Sequence, residues 1–285
     1  MKRAFTIIEL LVVIGIVATL IGVLSVTFGR GTESARNAKC LTNMKNLATA
    51  VNSYVTETGH YPNAGSVVYS EMKLGSGSAP EESFGEHKGW ISWYSSGDGK
   101  GSAGSPVSAY CEDLDKREYC ITNGAIFKYV AKNRNVYVCP VHENKKFGAA
   151  WSYVMNGWFR YSDAKSSGVA KPKDYYIWRG DSSLKRHDRR LLFAELNWAG
   201  EDAVIDAGDG TLCDPTLQYK DSEHIGFNHK DGKDRIAHVV FVDGHVEKLR
   251  MPRSGMGVSE QVELTKLLCT EKDIAFDGKE YREVK

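Results

Sequence analysis

The stretch LLVVIGIVATLIGVLSVTFG, residues 10–29, decides the fold of this chain. Its 20 residues carry no formal charge, and Glu9 and Arg30 stand at its two ends. At about 1.5 Å per residue, a helix of this length spans roughly 30 Å, the thickness of the hydrocarbon core of a bilayer. The stretch therefore predicts a helix that crosses a membrane once.

Two simpler explanations of this stretch fit less well. The apolar part of a cleaved secretory signal normally has roughly 7 to 15 residues and ends in a small-residue cleavage motif, and neither description applies here. A plain single-pass anchor explains the length but not Glu9, because a carboxylate at the edge of an apolar span is costly and points to a function. A carboxylate that reaches from the membrane interface to water is the alternative for Glu9.

After Arg30 the sequence becomes amphipathic without a break in helical spacing. Apolar residues recur at steps of three and four, which is typical of one helix stripe. Gly59 and Pro62 supply a stop, so we predict one continuous helix from about Phe5 to about Glu57, roughly 80 Å long. The stripe contains Ala38, Leu41, Met44, Leu47, Ala48, Val51, Tyr54 and Val55, and the other faces carry Arg36, Lys39, Asn43, Lys45, Asn46 and Asn52.

The composition of the whole chain is that of a globular protein joined to this apolar end. The 285 residues include 42% hydrophobic side chains and have a formal net charge of +1. Nucleic-acid-binding proteins usually carry a clustered basic excess, so we expect no nucleic acid among the partners.

The first 62 residues resemble the amino-terminal segment of type IV prepilins and type II secretion pseudopilins. KRAFTIIELLVVIGIVATL contains that family's short basic leader, small residue, Phe, Thr, aliphatic residues, Glu and long apolar run, and the segment ending in GHYP is similar to the rest of its helix. The resemblance implies that a prepilin peptidase cleaves between Ala4 and Phe5 and that Phe5 becomes an N-methylated amino terminus. Ala4 departs from the family, which normally has Gly before the cleaved bond.

The chemistry of such an end is that of an assembly interface. Cleavage after Ala4 creates an amine that is cationic at neutral pH. Glu9 needs a positive partner in a low-dielectric bundle, and the amine of Phe5 in a neighbouring copy supplies one. Because repeated contacts of this kind do not close, they build a fibre rather than a ring. We therefore expect Phe5 and Glu9 to carry assembly.

We accordingly expect an α+β, pilin-like fold in which a long amino-terminal helix, transmembrane in its first half, packs on an antiparallel β-sheet head with loop insertions. The predicted parts are a leader peptide (1–4), a transmembrane or filament-core half of the helix (5–29), an amphipathic half (30–62) and a globular extracytoplasmic head (63–285).

Several segments of the head have strand or turn patterns. Asp243-Gly244, between AHVVFV and HVEKL, predicts a hairpin with a two-residue turn, and Asp277-Gly278 indicates a second. We also predict a short helix at 124–130 and strands at 135–140, 151–155, 191–196 and 237–242.

The six cysteines lie in the soluble part of the chain and include no CxxC pair. An even set of this kind favours disulfides and an oxidising compartment, whereas buried free thiols in a head of the opposite orientation are the alternative. The pairs that we expect are Cys111 with Cys120, which closes a short loop, then Cys40 with Cys139 and Cys213 with Cys269.

The carboxy-terminal half carries a second resemblance, to a bacterial subgroup of pilin-like proteins whose signature is His, nine residues, then Asp-Gly. In FNHKDGKDRIAHVVFVDGHVEKL, His229 precedes Asp243-Gly244 by thirteen residues, so the loop is longer by four. The resemblance marks His229, Asp243 and Gly244 as signature positions and implies no chemistry for them.

Four of the eight histidines lie between positions 224 and 245, which raises the question of a metal or hydrolytic site. With a two-residue turn at Asp243-Gly244, His238 and His245 share a strand face but lie roughly 13 Å apart, too far for one metal ion. The chain also contains no HExxH or GxSxG motif. We therefore expect ordinary strand and loop histidines, and a protein that is not an enzyme.

Calcium is a better metal candidate than zinc, and we otherwise expect no cofactor. EDAVIDAGDGTLCD at 201–214 gathers carboxylates around two glycines without the spacing of an EF-hand. The pseudopilin resemblance also implies calcium, because major pseudopilins of type II secretion hold it in a carboxy-terminal loop. A solvated acidic turn is the alternative. The candidate ligands are Asp202, Asp206, Asp209 and Asp214.

These features favour a filament subunit of a type II secretion or type IV pilus-like system. Its expected partners are prepilin peptidase, copies of itself or other pseudopilins, and an inner-membrane assembly platform. We expect a single-pass inner-membrane protein with a cytoplasmic amino terminus and a periplasmic head, which then enters a periplasmic or surface filament. The alternative is a membrane-anchored extracytoplasmic binding protein, such as a polysaccharide-binding minor pilin or adhesin, whose binding surface could include Trp90, Trp93, Trp158 and Trp198.

Overall fold

A computed structural model shows one long helix packed against a six-stranded sheet. It describes residues 6–62, 64, 89–91, 118, 121–141, 151–157, 159, 187–196, 211–212, 225–251, 257–269, 274–276 and 281–283. The helices are α1 (Ile7–Thr58) and α2 (Val258–Cys269), with short 3-10 helices at Phe127–Val130, Arg134–Tyr137 and His187–Arg189. The strands are β1 (Tyr153–Asn156), β2 (Leu191–Glu195), β3 (Thr211–Leu212), β4 (His229–Asp231), β5 (Asp234–Phe241), β6 (Val246–Arg250), β7 (Ile274–Phe276) and β8 (Tyr281–Glu283).

The sheet has the strand order β3-β1-β2-β5-β4, and β6 also pairs with β5. All of its pairings are antiparallel except β1 with β3, which are parallel. β7 and β8 form a separate antiparallel pair. The predicted α+β class is therefore confirmed, and most of the predicted strands are present.

The prediction of one continuous helix is confirmed by α1, which has 52 residues. A capping box closes its amino end, because the Thr6 hydroxyl accepts from the Glu9 backbone N–H at 3.3 Å while the Glu9 carboxylate accepts from the Thr6 backbone N–H at 2.8 Å. Gly59, in the left-handed conformation at φ 79°, ends the helix.

Within the part of the chain that the structure describes, no helix is both long and apolar enough to qualify as a membrane span.

The two halves of α1 have different surroundings. Large apolar side chains are exposed on every side of its first turns, from Ile7 to Ile21. The second half packs on the sheet through the predicted stripe, of which Met44, Leu47, Ala48, Val51, Tyr54 and Val55 are buried. Ala38 is exposed and Leu41 half-buried, so these two positions of the predicted stripe are wrong, and Asn37 and Cys40 occupy the start of the buried face instead.

The assignment of Asn43 to an outer face of α1 is wrong, since this side chain is fully buried against the head. Its amide nitrogen donates to the backbone carbonyls of Asn135 and Val138 at 3.2 and 3.0 Å. These hydrogen bonds replace the water that the amide nitrogen loses on burial, so a polar residue can occupy the buried face.

Aromatic rings fill much of the core beside α1. Trp90 is fully buried, stacks on Tyr137 with ring centroids 5.8 Å apart and meets the ring of Phe193 edge-on at 5.0 Å. Trp90 therefore cannot belong to an exposed binding surface, and that interpretation of it is wrong. Trp93, Trp158 and Trp198 lie outside the described residues.

Gly124 allows the chain to pass closely beside Trp90. A Cβ atom at this position would lie 2.4 Å from the Trp90 carbonyl oxygen and 2.9 Å from the Ile91 Cα. Because both neighbours are backbone atoms of a packed segment, we expect Gly124→Ala to lower the free energy of unfolding by about 1–3 kcal/mol. Urea denaturation measures this change. Gly15→Ala, where a Cβ meets nothing within 4 Å, is the matched control.

The hairpin at Asp243-Gly244 is present, but its predicted two-residue turn is wrong. Gly244 N–H donates to the Phe241 carbonyl at 2.9 Å, and Phe241 N–H donates to the His245 carbonyl at 3.0 Å, which leaves a three-residue loop. Gly244 has a φ of 87°, the left-handed conformation that such loops need after a tight turn. Each cross-strand pair of β5 and β6 is consequently displaced by one residue from the prediction.

Other local predictions have mixed outcomes. Residues 135–137 of the predicted strand at 135–140 belong to the 3-10 helix Arg134–Tyr137, which the Asn133 side chain caps by accepting from the Asn135 backbone N–H at 3.0 Å. The second predicted hairpin is present as β7 and β8, although Asp277 and Gly278 themselves lie outside the described residues. Neither β4 nor α2 was expected from the sequence.

Candidate functional site

Two strands meet end to end along one edge of β5 and bring polar side chains together there. β2 pairs with the last part of β5 (Ala194 with Val239), and β4 pairs with its first part (His229 with Ile236). β6 occupies the opposite edge of the same strand. Continuing the β2 register by one residue places Glu195 opposite His238, and His229 lies diagonally across from His238 on the same face.

These three side chains are in direct contact and fully buried. The Glu195 Oε1 atom lies 2.9 Å from His229 Nε2 and 2.9 Å from His238 Nδ1. The two imidazole rings meet edge-on with centroids 4.4 Å apart. One carboxylate oxygen therefore accepts from both histidines at the junction of β2, β4 and β5.

α1 supplies a fourth donor atom to this junction. Cys40 is fully buried on the helix face that packs on the sheet, and its Sγ donates to Glu195 Oε1 at 2.5 Å. Asn37, one turn earlier, donates from Nδ2 to the Lys230 carbonyl at 2.9 Å and so fixes the helix against β4. The ligand atoms of Cys40, Glu195, His229 and His238 all lie within 4.8 Å of one another. We call these four residues the buried cluster.

Two further buried side chains, those of Cys139 and Tyr153, contact the buried cluster. Cys139 Sγ lies 3.1 Å from His229 Nε2, and its thiol also hydrogen-bonds with that of Cys40. The Tyr153 hydroxyl donates to Cys40 Sγ at 3.3 Å. Cys139 is held in place by its own backbone N–H, which donates to the Ser152 hydroxyl at 2.8 Å.

The electrostatics of the buried cluster are those of an internal ion pair. Burial raises the pKa of Glu195, but the hydrogen bonds and charges of His229 and His238 outweigh it and lower that pKa to about 2. Burial lowers the pKa of His229, but hydrogen bonds with Cys139 and Glu195 raise it to about 10. Burial, with the neighbouring carboxylate, raises the pKa of the Cys40 thiol well above its usual range.

Three polar atoms of the buried cluster have no hydrogen-bond partner among the residues that the structure describes: Glu195 Oε2, His229 Nδ1 and His238 Nε2. These are not the atoms through which the side chains contact one another; the contacting atoms are Glu195 Oε1, His229 Nε2, His238 Nδ1 and Cys40 Sγ, and those are the ones a metal would bind. A thiol, two imidazoles and a carboxylate around one point are a donor set that suits a transition metal. Their complete burial makes the arrangement unsuited to acid–base chemistry on an outside substrate.

The signature positions do not form one site. His229 belongs to the buried cluster, whereas Asp243 and Gly244 lie at the far end of β5, about 23 Å along the strand from the residue opposite His229. Asp243 there accepts from the His245 backbone N–H at 3.0 Å and shapes the turn. His245 is a half-exposed residue of the turn. His229 and His238 are strand histidines, as expected, but both are buried in contact with Glu195, which was not predicted.

The structure holds Cys40, Cys139 and Cys269 as free thiols, not as the disulfide partners that we expected. Cys40 and Cys139 do meet, as that pairing requires, but as neighbours in and beside the buried cluster. Glu9 caps its own helix. The remaining candidate residues lie outside the described part of the chain: Ala4, Phe5, Cys111, Cys120, Cys213, Asp202, Asp206, Asp209 and Asp214.

The sequence analysis missed Glu195 and Cys40 as partners of the histidines. A usable signal was present in the strands themselves, since LLFAEL and AHVVFV each contain one ionisable residue inside an otherwise apolar run. Such a residue needs a buried partner. Which partner it finds depends on the meeting of β2 and β4 along β5, and no local pattern specifies that.

Comparison of the chain with protein-family models, with curated proteins and with solved structures finds no match.

Proposed function

We propose that this chain is a pilin-like filament subunit of a type II secretion or type IV pilus-like system, which polymerises through the first half of α1. In this proposal prepilin peptidase cleaves before Phe5, and an inner-membrane assembly platform adds the processed chain to others of its kind. The head is placed in the periplasm on the pilin resemblance alone, because the free thiols of Cys40, Cys139 and Cys269 remove the cysteine argument for an oxidising compartment. The first half of α1 lies in the inner membrane before assembly transfers it into the filament.

The observation that carries this proposal is the exposed apolar surface of α1. Ile7, Leu11, Ile14 and Leu20 are each more than half exposed, and none of them packs on the head. A continuous apolar surface of this size on a water-soluble monomer is unfavourable and marks an interaction site. Lipid covers it before assembly, and the same half of α1 from neighbouring copies covers it afterwards.

The second half of α1 supports the same proposal. It is held by the head along its whole length, from Asn37 beside β4 to Tyr54 in the aromatic core. Because α1 is one uninterrupted helix, the position of the head is coupled rigidly to the position of the apolar half. A subunit of a regular filament needs that coupling to repeat with a fixed geometry.

The capping box allows the charge of Glu9 to be tested separately from its part in the helix. Glu9→Gln keeps a side chain that can still accept from Thr6 but removes the negative charge. We expect this variant to be inserted and processed normally and to enter filaments at least tenfold less often. The reason is that the carboxylate no longer pairs with the Phe5 amine of a neighbouring copy. Quantitative immunoblotting of sheared filaments measures incorporation.

Thr6→Ala is the matched control, because it removes the other half of the capping box and leaves the charge of Glu9 in place. It should loosen the first turn of α1 by about 0.5–2 kcal/mol and leave incorporation largely unchanged. Mass spectrometry of the native chain should show an N-methylated Phe5 as the first residue. An intact Met1, or equal incorporation of Glu9→Gln and wild type, would contradict the proposal.

A further inference from the structure

We propose that Cys40, Glu195, His229 and His238 bind one zinc ion, which fastens α1 to the sheet. The inference rests on the buried cluster alone and does not depend on whether the chain forms filaments. Each ligand comes from a different element: α1, the end of β2, β4 and β5. A single ion bound there would join the helix to three strands at once.

The distances within the buried cluster fit such an ion. Ligands around tetrahedral zinc lie at roughly 2.0–2.3 Å from the metal and hence roughly 3.3–3.8 Å from one another. Glu195 Oε1 now lies 2.5 Å from Cys40 Sγ and 2.9 Å from each histidine nitrogen. Outward shifts of about 1 Å or less would therefore open a space of the right size between the four atoms.

A hydrogen-bond network without metal satisfies this group of side chains less well. Glu195 Oε1 is shared by three donors, whereas Glu195 Oε2 has no partner among the described residues. Loss of the protons that lie between these atoms would leave four lone pairs facing one another. A divalent cation that replaces those protons would coordinate all four atoms.

The donor types favour zinc among the common metals. One thiolate, two imidazoles and one carboxylate are all ligand types that zinc binds, and four is the number that it takes in structural sites. Calcium and magnesium prefer oxygen ligands, which only Glu195 offers. Because all four ligands are fully buried and fill the four positions, no position is left for water or substrate, and the role is structural.

The alternative to zinc binding is a disulfide between Cys139 and Cys40. The Cys139 thiol already contacts that of Cys40, so an oxidant could join the two. A disulfide, however, would remove the Cys40 thiolate from the buried cluster and leave Glu195, His229 and His238 buried without it. We therefore assign Cys40 to the metal and Cys139 to the layer around it, where it contacts His229 at 3.1 Å.

The test uses the full chain, purified in detergent without chelator. We expect native mass spectrometry and elemental analysis to find one equivalent of zinc per chain. Replacement of that zinc by Co²⁺ should give the absorption of a tetrahedral site with one thiolate-to-cobalt charge-transfer band. The proposal would be overturned if the purified chain contained no metal and, once treated with a chelator, bound neither Zn²⁺ nor Co²⁺. An octahedral cobalt spectrum would also overturn it.

Two serine variants locate the metal on the predicted thiol. Cys40→Ser should lose the charge-transfer band and weaken zinc binding by more than roughly 100-fold, beyond the usual effect of changing an outer-shell residue. Cys269→Ser changes an equally buried free thiol and should keep both the band and the affinity. A band that survives in Cys40→Ser would overturn the assignment.

Alkylation distinguishes zinc from the disulfide without any substitution. In denaturant with chelator but no reductant, Cys40 and Cys139 should both react fully with iodoacetamide, and peptide mapping would show two modified thiols. If both thiols stay unmodified until a reductant is added, the disulfide is present and the zinc proposal is wrong.

Discussion

Glu195→Gln should lower the free energy of unfolding by about 3–5 kcal/mol in the presence of a chelator, the range expected when one partner of a buried ion pair is removed. Glu195 carries the negative charge of the buried cluster, since its pKa lies at about 2, and His229 carries the positive charge, since its pKa lies at about 10. The amide keeps the shape of the side chain and can still accept a hydrogen bond. The substitution removes the negative charge of Glu195, so the positive charge of His229 is left buried without compensation.

The comparison variant for this experiment is Glu247→Gln. Glu247 also lies beside a histidine, 3.3 Å from His245 Nε2, but its side chain is 53% exposed. Exposed pairs of this kind contribute roughly 0–1 kcal/mol. Urea unfolding of both variants, followed by circular dichroism, measures the difference. Equal effects of the two substitutions would mean that the buried cluster holds no charge pair that matters for stability.

Leu47→Ala and Leu11→Ala should have opposite consequences, although both truncate a leucine of the same helix. Leu47 is fully buried against the head, so its truncation leaves a cavity and should cost about 2–5 kcal/mol of unfolding free energy. Leu11 is 56% exposed in the apolar half. Its truncation should change the stability of the head by less than about 0.5 kcal/mol. It should instead reduce incorporation into filaments, because in the proposed filament the lost side chain packs against neighbouring copies.

Two measurements on each variant separate these effects. Thermal unfolding of the detergent-solubilised chain reports on the head, and recovery of the chain in sheared filaments reports on assembly. We expect Leu47→Ala to be destabilised but still to enter filaments at low temperature. Leu11→Ala should be as stable as wild type but enter filaments less often. If Leu11→Ala destabilises the head as much as Leu47→Ala does, the two halves of α1 do not have separate roles.

Sequence reasoning succeeded for α1 and for the β5–β6 hairpin because their signals are local. The stripe from Met44 to Val55 repeats at helical spacing, and Gly59 ends it, so helix and stop could both be predicted. The turn at Asp243-Gly244 was also visible, but its length was not. That length depends on the hydrogen bond from Gly244 to Phe241, and the residue pair Asp-Gly is compatible with two-residue and three-residue loops alike.

The buried cluster could not be predicted in the same way, because its members meet through the sheet topology. Cys40 and Glu195 are 155 residues apart in sequence, and His238 lies a further 43 residues beyond Glu195. The prediction against a metal site compared only His238 with His245 across the hairpin, and its premise that they share a face is wrong, because the one-residue shift in register places them on opposite faces. It did not consider the neighbouring strand, where His229 lies, and β4 has only three residues and no clear strand pattern.

The uninterrupted course of α1 also has a mechanical consequence. A 52-residue helix is about 78 Å long, so a pull on its exposed end is transmitted to the head along the backbone hydrogen bonds of the helix. The load enters the head first at Glu33, Asn37 and Cys40, where the helix is joined to β4 and to the buried cluster. It is then spread in shear over the side chains as far as Tyr54. Contacts loaded in shear yield together rather than one after another, so this geometry suits a part that must bear tension.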